Sequence, residues 1–442
     1  MSRYDTALRY FKENKDFMES FVPSQIERNR KGNIKITVKD KDGNVKKGVK
    51  VSIKLKNHEF RYGANIFMLD ELESAEKNKL YREKFSQIFN LATIPFYWDD
   101  FEPEEGKPRF AADSKKIYRR PPSDLCVNYC LEKGIEPKCH CLNYDAFIPK
   151  WLEDADVNTH KKYLDKRFRE LAEHYADIIP SWEVTNETFH NFRNKTTKFS
   201  MENDFVEWSF RLADKYFPLN KLIINDYTLF EDEFRGNRSR YFMQIERLLR
   251  NGIVHLDSIG MQYHSFFSKD EEEKKAKTRY NPIYLYEVLD KYSEFGKKIQ
   301  ITEMTIPAYS DSSEDEEVQG ELIRNIYNVF FSHPSMEAAI YWNMVDGYAA
   351  WAPIGDMTKG ENIFYGGVLR FDLSEKPSAK IIKDLFQKEW HTETMGETDS
   401  DGIVCLRGFY GDYEIKLISE DGEIEENISI LSTRNNKCEI II

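Results

Sequence analysis

Two glutamates draw attention because each closes a short apolar run. Glu187 follows Pro180-Ser-Trp-Glu-Val-Thr-Asn186, and Glu303 follows Ile299-Gln-Ile-Thr302. Other polar residues fall at the ends of further apolar runs: His140, Asn225-Asp226, Gln262, His264, and the aromatic Trp342. Two carboxyl groups, one protonated and one ionised, are what cleavage of a glycosidic acetal requires. The first protonates the leaving oxygen and the second meets the anomeric carbon. Either glutamate taken alone reads better as a helix-capping charge or a surface ion pair. Together they are the candidate catalytic pair, and the neighbouring polar residues are candidates for holding a sugar. The 25 Tyr, 30 Phe and 7 Trp supply either core or sugar-stacking faces.

A fold must bring these positions to one place. Apolar runs begin near residues 60, 91, 135, 180, 222, 258, 299 and 338. Amphipathic stretches at 161–175, 204–216, 238–251 and 319–331 lie between them. Eight strand–helix units over roughly 300 residues predict an α/β fold, a (β/α)8 TIM barrel, in which strand C-terminal ends form the active site. A doubly wound open sheet is the runner-up, but no GxGxxG follows an early strand.

The two ends of the chain read differently. Residues 33–56 alternate in polarity around Asp42-Gly43, which predicts a β-hairpin. From about 398, short alternating runs split by Asp401-Gly402 and Asp421-Gly422 predict four or five strands. Neither piece buries a core by itself, so the two are predicted to pair into one small accessory β-sandwich. The expected organisation is a helical segment over 1–32, with an amphipathic helix near 5–20. A hairpin over 33–58, the barrel over 59–391 and sandwich strands over 392–442 follow.

The chain of 442 residues is 40% hydrophobic and 32% charged, with net charge −12. No run approaches the ~20 apolar residues of a membrane helix, and an acidic chain without a basic tract repels phosphate backbones. Membrane and nucleic acid are therefore excluded as partners. The first residues carry no apolar leader, so the expected address is cytoplasmic, or secreted if a leader has been removed. Four of the six cysteines, Cys126, Cys130, Cys139 and Cys141, lie close together around His140. Zinc is conceivable there, but Cys126 and Cys130 are i and i+4 on a predicted helix and no CxxC pair occurs. Buried free thiols are the preferred reading, and no metal or organic cofactor is expected. The charge-rich stretches 269–277 and 311–317 read as solvated surface.

Taken together, six strings resemble glycoside hydrolase family 10, the retaining β-xylanases. Trp182-Glu-Val-Thr-Asn-Glu187 is similar to the acid/base motif and Ile301-Thr-Glu-Met-Thr-Ile306 to the nucleophile motif. Gly260-Met-Gln-Tyr-His264, the Asn225-Asp-Tyr227 strand end, and Tyr341-Trp-Asn-Met-Val-Asp-Gly-Tyr-Ala-Ala-Trp351 match further strand ends. Glu102-Pro-Glu-Glu-Gly106 matches the loop after the second barrel strand. The resemblance implies Glu187 as general acid then base and Glu303 as nucleophile, about 5–5.5 Å apart. It implies His264 as hydrogen-bond partner of Glu303, and Asn186 on the sugar 2-hydroxyl. Gln262, His140, Trp98 and Tyr227 become further substrate-binding residues, with Trp342 and Trp351 as stacking walls.

The second barrel strand departs from the family pattern Glu-Asn-x-x-Lys-Trp. Here the string is Thr93-Ile-Pro-Phe-Tyr-Trp98, which keeps Trp98 but has Thr93, Ile94 and Tyr97 at the polar positions. Those groups hold the −1 and −2 sugars in typical members, so contacts to sugar hydroxyls should be lost there. The third strand also differs, with His140-Cys-Leu-Asn-Tyr-Asp145 for His-Thr-Leu-Val-Trp-His. The expected function is retaining cleavage of β-1,4-xylosidic bonds. The alternatives are an exo-acting or non-xylan β-glycosidase with a rebuilt glycone subsite, and a carbohydrate-binding protein without turnover.

Overall fold

The computed structural model describes residues 2–189, 197–227, 230, 238–419 and 422–442. Two strands precede the barrel, β1 (Lys31–Lys39) and β2 (Lys50–His58). The barrel strands are β3 (Arg61–Asn65), β4 (Leu91–Pro95), β5 (Glu136–His140), β6 (Ser181–Asn186), β7 (Lys221–Tyr227), β8 (Ser258–His264), β9 (Lys298–Thr305) and β10 (Met336–Tyr341). They close in the order β10-β3-β4-β5-β6-β7-β8-β9, all parallel. Every residue of β4 and β6 is buried, as expected of strands covered on one side by helices and on the other by the barrel interior. The covering helices include Ala75–Ile88, Ser123–Lys133, Val157–Tyr175, Phe205–Tyr216, Arg240–Arg250, Pro282–Ser293 and Ser313–Ser332. Five of these starts are capped by side chains. Ser74, Asp156, Ser239, Asn281 and Ser312 each accept a first-turn N–H.

Five strands follow the barrel: β11 (Glu393–Glu397), β12 (Ile403–Phe409), β13 (Gly411–Ser419), β14 (Gly422–Ile430) and β15 (Lys437–Ile441). With β1 and β2 they form two sheets, β12-β1-β15 and β11-β2-β13-β14. The small sandwich built from both ends is therefore present. The predicted hairpin over 33–58 is not. The turn exists, with Asp40 Oδ1 accepting from the amides of Asp42 (3.0 Å) and Asn44 (2.9 Å) and Gly43 at φ +85°. However, β1 and β2 lie in opposite sheets and a single bridge joins Lys39 to Val45. The reason is burial. Ile34, Ile36 and Val38 of β1 and Val51, Ile53 and Leu55 of β2 are the buried faces of the two layers. Stacked sheets bring those faces together, whereas side-by-side pairing would leave one face of both strands without a cover. Asp421, of the predicted Asp421-Gly422 turn, lies outside the described residues.

The N-terminal segment also differs from the single helix predicted over 5–20. It forms short helices at Arg3–Ala7 and Arg9–Glu13, a π-helical turn at Phe17–Phe21 and a helix at Val22–Arg30. Tertiary contacts decide this shape. Arg3 is buried, pairs with Glu272 (2.8 Å) and Asp315 (3.2 Å), and donates to the carbonyls of Pro307 (2.8 Å) and Ala308 (3.0 Å). Arg30 donates to the carbonyls of Phe331 (2.5 Å) and His333 (2.6 Å). Next to it, Tyr62 stacks on Phe386 (3.7 Å) and Phe331 on Trp390 (4.0 Å), so the sandwich, the helical segment and the barrel share one core. Cys126, Cys130, Cys139 and Cys141 are buried, and burial pushes all four thiols up. Among the described residues no group of three His, Cys, Asp or Glu could hold a metal ion. No helix among them is long and apolar enough to cross a membrane.

Gly260 in β8 lies beneath the site where the neighbouring strands leave no room for a side chain. A Cβ there would lie 2.8 Å from Asn225 Oδ1 and Thr302 Cγ2 and 2.9 Å from the Ile224 carbonyl. Gly260→Ala is expected to destabilise the fold by about 1–3 kcal/mol, read by chemical denaturation.

Candidate active site

At the C-terminal ends of the barrel strands lies a cavity of about 640 Å³. Its lining includes Glu187, Glu303, Asn186, His140, Gln262, His264, Tyr227, Trp342 and Trp351. Nine of the predicted site residues are thus brought together by strands that are far apart in sequence. Trp98 is not among them, and its expected contact with sugar is corrected. Strand β4 ends at Pro95, and Trp98–Phe101 forms one helical turn. That turn points Tyr97 into the cavity and Trp98 towards the helix Val157–Tyr175 behind it. Trp98 donates from Nε1 to Glu102 Oε2 (3.0 Å), and the Arg167 guanidinium sits 5.2 Å over its ring. It braces the loop after β4. Thr93 and Ile94 are buried in the strand, so Tyr97 alone of the three replaced positions faces the cavity.

The two carboxylates meet through amides. Gln262 Nε2 lies 3.0 Å from Glu187 Oε1 and 3.1 Å from Glu303 Oε1. The two oxygens are therefore within the sum of those distances, about 6 Å, shorter than the ~6.5–9.5 Å that leaves room for an intervening water. Asn225 Nδ2 donates towards Glu303 Oε1 (3.1 Å) and Asn186 Oδ1 (2.9 Å), and Thr302 Oγ1 holds Asn225 Oδ1 at 2.6 Å. With its oxygen so occupied, Asn186 makes no hydrogen bond from Nδ2 among the described residues, and that amide is left for a ligand hydroxyl.

His264 completes the shell of Glu303, with Nε2 3.0 Å from Glu303 Oε2 and Nδ1 3.0 Å from Thr305 Oγ1. Burial pushes the imidazole down to about 4, so it is neutral at pH 7. In the ionised form that attacks, the Glu303 carboxylate only accepts, which then assigns the proton to Nε2 and makes Thr305 the donor to Nδ1. Burial, and then the charge of Glu187, push the Glu303 carboxyl up to about 8, against the hydrogen bonds from Asn225 and Gln262. Across the cavity the Tyr144 hydroxyl donates to Glu187 Oε2 (2.5 Å). Burial and the Glu187 charge hold that phenol far above its usual value, so it stays a donor.

Glu187 sits at φ +47°, in the left-handed region that costs a side-chain-bearing residue about 1–2 kcal/mol. Asp226 pins the turn that follows it. Its Oδ2 accepts from the Thr188 amide and hydroxyl, both at 2.8 Å, and its Oδ1 from the Tyr227 amide at 2.8 Å. Burial pushes the Asp226 carboxyl up to about 7.

Beneath this layer is a second one that sequence reasoning missed. Glu183 accepts from Lys138 Nζ, contacts His140 Nδ1 at 2.5 Å and accepts from Asn225 Nδ2 at 3.2 Å. Lys138, His140 and Glu183 are all buried. Tyr97 bonds the other imidazole nitrogen, Nε2 of His140, at 2.9 Å. Charged residues inside strands that are otherwise apolar were the available signal for Lys138 and Glu183. Tyr144, Arg119, Arg120 and Glu361 also line the cavity, and no apolar run ends at any of them. Trp342 packs edge-on against Phe67 (5.4 Å) and His140 (5.6 Å), whereas Trp351 stands 83% exposed at the rim with φ +61°.

Comparison with known proteins agrees with this geometry. The family profile Glycosyl hydrolase family 10 matches residues 55–372. Endo-1,4-beta-xylanase B of Thermotoga neapolitana is 24% identical over 341 residues, 75% of this chain and 88% of that protein. The anti-sigma-I factor RsgI6 of Acetivibrio thermocellus is 26% identical over 391 residues, 88% of this chain. The chain spans 45% of that factor's length. The crystal structure of xylanase 10B from Thermotoga petrophila in complex with xylobiose is similar with TM-score 0.57 at 20% identity, over 75% of this chain and 95% of that one. With the profile spanning most of the chain and the barrel carrying its motifs at the strand ends, this chain belongs to glycosyl hydrolase family 10.

Proposed function

We propose that the protein is a retaining β-glycoside hydrolase that cleaves β-1,4-xylosidic bonds in xylan or xylo-oligosaccharides. The observation that carries this reading is the single amide nitrogen of Gln262 within 3.0 and 3.1 Å of both carboxylates. A pair that close leaves one carboxylate able to attack the anomeric carbon directly. In the first step Glu303 forms a bond to that carbon while the bond to the leaving oxygen breaks. Glu187 gives its proton to that oxygen. In the second step Glu187 takes a proton from water, the water oxygen bonds the anomeric carbon and Glu303 leaves. Two inversions restore the starting configuration. Asn186, with its free amide, is assigned to the sugar 2-hydroxyl, and Trp342 and Trp351 to the flanking sugars.

Protonation supports the roles. Donors from Asn225, Gln262 and His264 converge on Glu303 and favour its ionised form, the form that attacks. The xylanase names of the relatives favour a xylan-type chain over other β-glycosides. A second reading, exo action or a short glycone, is favoured by the wall of Phe67, Tyr97, Arg120 and Phe147 on the β4 side.

Glu303→Ala is expected to abolish turnover of xylohexaose. Glu187→Gln should cost about 10²–10⁴ in rate, less with an activated aryl leaving group that needs no proton. Either variant keeping most of its rate overturns the assignment, and binding of xylohexaose by the wild type without products would favour the binding-protein alternative. Product sizes separate internal cuts from trimming at one end.

The pH dependence has a defined sign. Because Glu303 attacks only when ionised, the rate should rise as pH climbs through about 8. Removing the Glu187 charge in Glu187→Gln should lower the Glu303 titration, read by carboxyl ¹³C NMR. Stability follows the same shift. The raised value favours the protonated fold, a contribution present below pH 4.5 and lost as pH climbs towards 8. Glu303→Gln should therefore gain in melting temperature relative to wild type across that window.

A further inference from the structure

The wall formed by β10, β3 and β4 contains two guanidinium groups that the hydrolase chemistry does not use. Arg119 and Arg120 both line the cavity, on the loop that follows β4. Arg119 has its backbone at φ +61°, a conformation side-chain-bearing residues avoid, and two prolines follow Arg120. Arg119 is 5% exposed and is anchored to the loop after β10. It donates to the Tyr348 carbonyl and, at 3.2 Å, to Asn343 Oδ1. The Arg120 guanidinium sits over Tyr97, 3.9 Å from the ring centre, with Phe147 and Phe67 at 5.5 and 5.7 Å.

The donor count leaves a vacancy on Arg120. Its Nε is taken by Asp100 (2.9 Å) and its Nη1 by the Arg119 carbonyl (3.0 Å). Its Nη2 makes no hydrogen bond among the described residues. The acids facing this wall are otherwise Glu361, which accepts from Asn343 Nδ2 at 3.0 Å, and the catalytic pair. Glu361 offsets Arg119, and Asp100 meets only the Nε edge of Arg120. A cation held on aromatic rings in a partly dry cavity costs desolvation that hydroxyls alone recover poorly. A carboxylate recovers it well, because a charge-assisted bond to a guanidinium is about twice as strong as a neutral one.

We propose that this wall is a subsite for a carboxylate carried by the substrate, a hexuronic acid attached to the sugar chain on the side of the second barrel strand. Arg120 Nη2 is the principal donor and Arg119 adds the second positive charge. Tyr97, which stands where the family places a lysine, supplies the platform that sets the Arg120 plane. The subsite rests on the hydrolase reading, since it places the acid on the glycone of the bond cut by Glu187 and Glu303.

The test uses three probes: xylotriose, xylotriose bearing an α-1,2-linked glucuronic acid on its non-reducing xylose, and the same tetrasaccharide with the carboxyl reduced to the alcohol. The last two differ only in the charge. The wild-type kcat/KM for the acidic probe is expected to exceed that for the reduced one by about tenfold or more, with the preference shrinking in high salt. Arg120→Gln should bring the ratio close to one, and Arg120→Lys should keep part of it. Equal wild-type rates on the two tetrasaccharides, or a ratio unchanged in Arg120→Gln, overturn the subsite while leaving the hydrolase standing. Should Arg120→Gln fail to fold by circular dichroism, the wild-type ratio and its salt dependence decide alone. If none of the three is cleaved, the hydrolase reading fails, and calorimetric binding of the wild type decides the subsite. Tighter binding of the acidic probe than the reduced one supports it, and equal or absent binding overturns it.

Discussion

Much of the site hangs on the amide of Gln262. Two carboxylates within about 6 Å repel, and without a shared donor they would splay apart. Gln262 Nε2 reaches both, while Asn225 ties Glu303 to Asn186 and to the buried Glu183. These residues come from β6, β7, β8 and β9, so the contact exists only once the barrel has closed in register. The register shifts between Met261 and Gln262 and between Glu183 and Thr185 mark where the strands adjust to bring those side chains level.

The second layer explains how such a crowded pair is tolerated. Lys138, His140 and Glu183 form a buried hydrogen-bonded cluster directly below, and Asn225 bridges the two layers. Removing one partner of such a cluster leaves a buried polar group without its hydrogen bond, so the floor of the site is held together by polar contacts. Asp226 does comparable work on the other side of Glu187, holding the turn in which that residue adopts a positive φ.

Much of this was legible in the residue order, for a definite reason. Barrel strands are short and apolar, so a polar residue at their ends is conspicuous, and Asn186, Glu187, Gln262, His264 and Glu303 all sit there. What was illegible depends on direction rather than identity. Trp98 matched a motif, yet one helical turn after Pro95 sends it outward and its neighbour Tyr97 inward. The hairpin expected across 33–58 failed similarly. Alternation specifies that one face is buried, not which strand lies alongside, and both β1 and β2 found their partners beyond the barrel. Arg119 and Arg120 lie on a loop, where no periodicity exists to read.

The sandwich has a consequence for how the chain is made. Strand β1 emerges from the ribosome early, but its neighbours β12 and β15 come last, and β15 runs parallel to it. Until then the apolar face of β1 and both its edges have no native cover, and contacts of such long sequence separation form slowly. The whole barrel must be synthesised while an unpaired strand waits at its base. The N-terminal strands therefore gain their native cover only in chains that have been translated through to β15.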